Sequence, residues 1–171
     1  FMALKNANGG KPWYLWEKSL AMHEPDAIAT AKKLYQDDIA FYCVMQYWFH
    51  KQWYKLKHYC NKRGITIVGD IPIYVAYDSV EVWSQPELFQ LDDDHVPTAV
   101  AGCPPDVFSP SGQLWGNPLY NWNYHKETNY AWWVQRLARA ATLYDTVRID
   151  HFRGFESYYK ICLLYTSDAA D

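Results

Sequence analysis

The sequence predicts an α/β fold with parallel strands, and three observations carry that prediction. A helix-length apolar stripe, a glycine and a short β-branched run follow one another directly between Gln36 and Asp70. A second helix pattern, Tyr130 to Tyr144, feeds straight into a second β-branched run containing Thr146, Val147 and Ile149. Each run ends in an aspartate, Asp70 in the first and Asp150 in the second. Helix, tight turn, buried strand and then a polar residue at the strand's exit is the rhythm of parallel α/β units.

Composition narrows the function. The chain has 171 residues, enough for one domain with a core, and a net charge of −3 with both signs scattered along it. No basic patch interleaves with aromatics, which argues against a nucleic-acid partner. The longest apolar stretch, Ile39 to Met45, is far too short to span a bilayer, and no signal-peptide pattern opens the chain. Cys43, Cys60, Cys103 and Cys162 lack the spacing and histidine partners of a zinc site and read as reduced, cytoplasmic thiols. Aromatics make up 18% of the residues, with nine Trp and fifteen Tyr. Such rings stack on sugar faces as well as filling cores, so composition alone leaves both uses open. The first residue is Phe1, and the expectation is of a piece from inside a longer protein.

Residues 1–24 carry Gly9, Gly10, Pro12 and the cluster Trp13, Tyr14 and Trp16, read as a lead-in to the first unit. Pro25 and Asp26 suit a helix start. From about Gln36 to Arg63, Tyr42, Met45, Phe49, Trp53, Leu56 and Cys60 recur at spacings of three and four, a packing stripe, with Lys51, Lys55, Lys57 and Lys62 mostly off it. Gly64 is the expected C-cap. Ile65-Thr66-Ile67-Val68 is expected as a strand buried on both faces. From Ser79 to His125 periodicity fails among many prolines and glycines. The aromatic and aliphatic content there, Phe108 included, predicts an ordered excursion above the strand ends. In the helix over Tyr130–Tyr144, Trp133, Val134, Leu137, Ala141 and Tyr144 share a face, with Arg136 and Arg139 pointing elsewhere. Past Ile161 neither period persists, and residues 162–171 are expected as a non-native or frayed tail.

The chemistry gathers on Val147-Arg148-Ile149-Asp150-His151-Phe152-Arg153-Gly154-Phe155. Asp150 leaves its strand with Arg148, His151 and Arg153 near enough in sequence to pair with it. If the strands ending at Asp70 and Asp150 are neighbours, both carboxylates rise into one cleft. Retaining glycosidic chemistry needs two carboxyl groups about 5–5.5 Å apart, so residues alone would make Asp70 the acid/base partner of Asp150.

Three blocks resemble amylomaltases, the 4-α-glucanotransferases of the α-amylase clan: Gly69 to Val75, Ala101 to Tyr120 and Val147 to Tyr158. The middle block holds Gly102-Cys103-Pro104-Pro105-Asp106 and Gly112-Gln113-Leu114-Trp115-Gly116-Asn117-Pro118. The resemblance implies a partial (β/α)₈ barrel spanning residues 1–161, roughly its third and fourth strands with a long inserted loop region. It implies that Asp150 is the nucleophile and Arg148 its support, and that Asp70, Asp106, Trp115, Asn117 and His151 bind substrate. His151 has an orienting role as its alternative. The loop carrying Asp106 is expected to fold over bound glucan. The family's acid/base Glu and its third carboxylate lie on later strands, so the chain alone is expected to be inactive. α-1,4-Glucans and maltooligosaccharides are the implied partners, with no metal and no cofactor. Two alternatives stay open, an α-glucan hydrolase of the same clan and a non-catalytic glucan-binding piece.

Overall fold

A computed structural model describes residues 1–107 and 109–163; Phe108 and the tail from 164 onward lie outside the described residues. The described chain divides into two compact units. Phe1–Ile71 with Ala131–Asp150 forms the first, and Pro72–Tyr130 with the chain from His151 onward forms the second.

In the first unit, helices α1 (Met2–Ala7), α2 (Lys18–Ala21) and α3 (Pro25–Leu34) precede the long α4 (Gln36–Asn61). Strand β1 (Val68–Ile71), helix α7 (Ala131–Leu143) and strand β4 (Thr146–Ile149) complete it. Pro25 takes the first helical position of α3 and Asp26 its first turn, as expected. The core is built from Leu4, Trp13, Trp16, Ile28, Ala31, Trp133 and Ala140. Much of it therefore comes from the lead-in segment, whose helices the sequence did not announce.

Gly64 ends α4 at φ +73°, a left-handed conformation that favours glycine. β1 pairs with β4 in parallel, Asp70 opposite Arg148. The predicted adjacency of the two aspartate-bearing strands is thus observed. The strand sits three residues later than Ile65–Val68 and is not buried on both faces, since Val68 is 64% exposed. The Tyr144 ring covers the strand at Gly69, and among the described residues the sheet has two strands.

The stripe on α4 is packed only in part, with Tyr42, Trp53 and Cys60 half-buried. No residue of α4 is buried, and Met45, Phe49 and Leu56 lie open. The helix instead caps α7. Trp53 donates its indole N–H to Leu143 O at 2.8 Å, and Lys57 donates to Tyr144 O at 2.9 Å and Thr142 O at 3.3 Å. These carbonyls end a helix and lack partners within it, and a cation there also meets the negative end of the dipole. On α7 the buried pair is Trp133 and Ala140, while Val134, Leu137 and Ala141 are exposed. Arg136 does not point away but lies over the Trp132 and Trp133 rings, at 5.1 and 4.9 Å.

The second unit is the ordered excursion. It holds α5 (Val80–Ser84), β2 (Ala99–Cys103), β3 (Gln113–Pro118), α6 (Trp122–Glu127) and β5 (Tyr159–Cys162). The strands form an antiparallel sheet ordered β3-β2-β5, which the failed periodicity had hidden. The expected boundary at Ile161 falls inside β5, and Leu163 N still donates to Thr98 O at 3.4 Å. The core contains Val82, Leu88, Phe89, Ala99, Ala101, Leu119 and Tyr120. His125 is buried with them, its Nε2 3.2 Å from Leu88 O, and burial lowers its pKa.

The open side of α4 makes a prediction about the chain as given. Phe41, Met45, Trp48 and Phe49 are each roughly half exposed or more, and contiguous apolar surface of this kind drives association. The isolated chain should self-associate in sedimentation or light-scattering measurements. A monodisperse 20.1 kDa species at tens of micromolar would contradict this.

Candidate active site

The first unit gathers Asp70, Arg148 and Asp150. Asp70 and Arg148 are partners across the parallel pair, and Asp150 follows Arg148 by two residues. With side chains alternating along a strand, all three project to one side of the sheet. Arg148 divides its guanidinium between the carboxylates: Nη1 donates to Asp70 Oδ2 and Nη2 to Asp150 Oδ1, each at 2.7 Å. A planar fork can hold two carboxylates in fixed relation where a lysine ammonium could not.

Asp70 accepts from Arg148 in the same way as Asp150 does. Of the three cations predicted around Asp150, Arg148 is the one that pairs with it; Arg153 donates its Nε to Ser157 Oγ at 3.3 Å. The side chains of all three residues are between 52% and 62% exposed. At that exposure each pair contributes only of order 0–1 kcal/mol to folding, so its importance is orientation.

The second unit carries Asp106, Trp115, Asn117 and His151. Trp115 stands on β3 with its ring edge-on to His151, centroids 5.0 Å apart at 87°. Behind it Tyr74 lies tilted at 6.2 Å, stacked in turn on Tyr120, which stacks on Phe89. The Tyr120 hydroxyl donates to Ile73 O at 2.6 Å, fixing the stack to the backbone. His151 adopts φ +51°, uncommon for a residue with a side chain. It follows Asp150 directly in the chain, so the backbone turns sharply just beyond the carboxylate.

Asn117 Nδ2 donates to Val75 O at 2.8 Å, a bond that ties β3 to the segment after β1. Asp106 accepts from Ser109 N at 2.7 Å and so closes its own turn. Asp106 and His151 both line a pocket of about 440 Å³, with Cys103, Arg153, Ser157 and Tyr158 also in its wall. Sequence reasoning passed over Arg153, Ser157 and Tyr158 as wall residues and Tyr74 as the support of Trp115. The position of Tyr74, inside the Gly69–Val75 block, was the available signal.

An arginine-bridged pair of aspartates thus stands at the carboxyl ends of paired parallel strands, in the manner of α/β proteins that carry their site at that end of the sheet. The glycoside hydrolase family 77 model, described as 4-alpha-glucanotransferase, matches residues 1–167, and the chain belongs to that family. It is 49% identical over 161 residues to the 4-alpha-glucanotransferase of Thermus thermophilus, covering 94% of this chain and 32% of that protein. The Clostridium butyricum 4-alpha-glucanotransferase is 47% identical over 162 residues, again with 94% of this chain and 33% of the relative covered. The solved structure of amylomaltase from Streptococcus agalactiae in complex with acarbose superposes with a TM-score of 0.92 at 49% identity, over 96% of this chain and 33% of that one. The chain thus spans about a third of the length of the relatives it matches.

The aromatic support has a pH signature. Burial first, and the nearby Tyr158 second, push the Tyr74 phenol from 10.0 up to about 12. A raised folded pKa means stability that is complete below pH 10 and lost as pH rises towards 12. Tyr74→Phe should therefore flatten the alkaline limb of unfolding between about pH 10 and 12, followed by tryptophan fluorescence. An unchanged limb would contradict the burial account.

Proposed function

We propose that this chain is the nucleophile-bearing part of a 4-α-glucanotransferase, which moves α-1,4-glucan segments between maltooligosaccharides with retention of configuration. The observation that carries this reading is the Arg148 fork between Asp70 and Asp150, on a chain of the 4-alpha-glucanotransferase family. In the intact protein β1 and β4 would be neighbouring strands of a (β/α)₈ barrel. The two further sheet positions beside them would be filled by strands from the rest of the polypeptide.

Asp150 attacks the anomeric carbon of a bound glucan, the C1–O bond to the leaving segment breaks, and a glucosyl ester forms on the carboxylate. A carboxylic acid elsewhere in the full-length protein protonates the departing oxygen. The same group, now a base, then takes the proton from an acceptor sugar hydroxyl, which attacks C1 and releases Asp150. Arg148 holds the attacking carboxylate in line, and Asp70 anchors the far side of the guanidinium while orienting the sugar. Trp115, braced by Tyr74, offers a rigid face for a sugar ring, and His151 and Asp106 offer polar groups in one pocket. Asn117, bonded to Val75 O, serves substrate by holding the strand that presents Trp115. The loop carrying Asp106 would fold over bound glucan. Acarbose, bound by the Streptococcus agalactiae relative, supports an oligosaccharide site. Free thiols at Cys43, Cys60, Cys103 and Cys162 support a reducing, cytoplasmic setting.

The test is Asp150→Asn in the full-length protein, which removes the attacking charge at nearly constant volume. Disproportionation of maltotriose should fall by at least about 10³-fold, with the thermal midpoint little changed. Retention of activity within about tenfold, a loss of roughly 1.4 kcal/mol or less, would reject Asp150 as nucleophile.

A further inference from the structure

We infer that Asp145, at the corner between α7 and β4, is a positioning residue that fixes the register of β1 against β4 and so sets Arg148 beside Asp70. The inference rests on the reading of Asp150 as nucleophile.

Each strand has four residues, and among the described residues each has a single partner. A slip of one residue would turn Asp70 to the opposite face of the sheet, away from Arg148. Asp145 grips the residue just before β1 by both of its backbone groups. Its N–H donates to Ile67 O at 2.9 Å, and its carboxylate Oδ2 accepts from Ile67 N at 2.8 Å. Thr146 N adds a weaker bond to the same carbonyl at 3.3 Å. From Ile67 to Asp70 and from Asp145 to Arg148 the chain advances equally, so a grip at the first pair aligns the second.

The carboxylate is itself held. Asn61 Nδ2 donates to Oδ2 at 2.7 Å and bonds Ile65 O at 3.1 Å, and Lys57 Nζ lies 3.4 Å from Oδ1. The bond from Ile67 first, then that from Asn61, keeps the Asp145 carboxyl below the usual carboxylate range.

Tyr144 supplies an independent check on the same register. Its ring lies flat against Gly69, where a Cβ would be driven into the ring, and it is backed edge-on by Trp53 at 5.8 Å. A slip by one residue would bring Val68 or Asp70 under that ring. The Tyr144–Asp145 pair therefore accepts one register only.

The test compares Asp145→Ala, Asp145→Asn and Asn61→Ala in the full-length protein, with Asp150→Asn run alongside. A displaced nucleophile lowers turnover without removing sugar contacts, because misplacement by about an ångström costs on the order of 10²-fold in rate. Asp145→Ala should lower kcat on maltotriose at least tenfold per folded molecule, with KM within twofold. Asp145→Asn keeps an oxygen for the Ile67 N–H and should stay within threefold of the parent. Asn61→Ala removes only the brace and should lower kcat two- to fivefold at unchanged KM; it decides the matter if Asp145→Ala does not fold. Parent-like kcat in folded Asp145→Ala, or in Asn61→Ala where the former is unfolded, overturns the positioning role. If those variants keep parent kcat while Asp150→Asn is inactive, the clamp alone fails. If Asp150→Asn stays active, the nucleophile reading fails and the clamp falls with it.

Discussion

The parallel pairing of β1 with β4 is the constraint on which the site depends. It converts two aspartates eighty residues apart in sequence into a pair that one guanidinium can span. Nothing about either aspartate alone carries chemistry, and an exposed ion pair adds little stability. What the pairing supplies is relative position: side-chain alternation puts Asp70, Arg148 and Asp150 on one side, and the register puts Arg148 between the carboxylates. The packing around the corner serves that end. Lys57 and Trp53 close the carbonyls of α7, Tyr144 fills the space over Gly69, and Asp145 ties the start of one strand to the start of the other.

On the proposed function, the second unit would answer a different need. Sugar rings are held by rigid apolar faces with a few polar groups around them. Trp115 acquires rigidity from a stack of rings running through Tyr74 and Tyr120 to Phe89, anchored by the Tyr120 hydroxyl on Ile73 O. The high aromatic content is thus spent in two ways, one part as core and one part as a braced platform. His151 joins the platform from the chain that has just left Asp150, and its left-handed backbone is the kind of local strain found where a site over-determines geometry.

The parallel unit was legible in the sequence because its signals are local: a β-branched run, a glycine cap, an aspartate at the exit. The antiparallel sheet β3-β2-β5 was not. Its strand Ala99–Cys103 is small and almost wholly buried, so it shows no alternation, and its partner Tyr159–Cys162 lies some sixty residues away. The stripe on α4 gave the right helix, but its burial is only partial. Period reports which residues share a face, whereas burial depends on what is packed against that face, and within the described residues α4 meets chiefly α1, α3 and α7 through side chains such as Tyr42 and Trp53. Asp145 was not legible, because a lone aspartate before a strand carries no signal of the backbone N–H from which it accepts. Asp70 and Asp150 stood out from position alone, but the division of Arg148 between them needed the register.

Trapping the covalent intermediate tests the central claim most directly. A glucosyl fluoride made slow to hydrolyse by fluorination of its ring would be incubated with the full-length protein, which would then be digested and analysed by mass spectrometry. The peptide containing Asp150 should carry one added sugar, with fragmentation locating it on that side chain. A sugar found on Asp70, or an enzyme that turns over maltotriose yet never carries a label, would contradict the account.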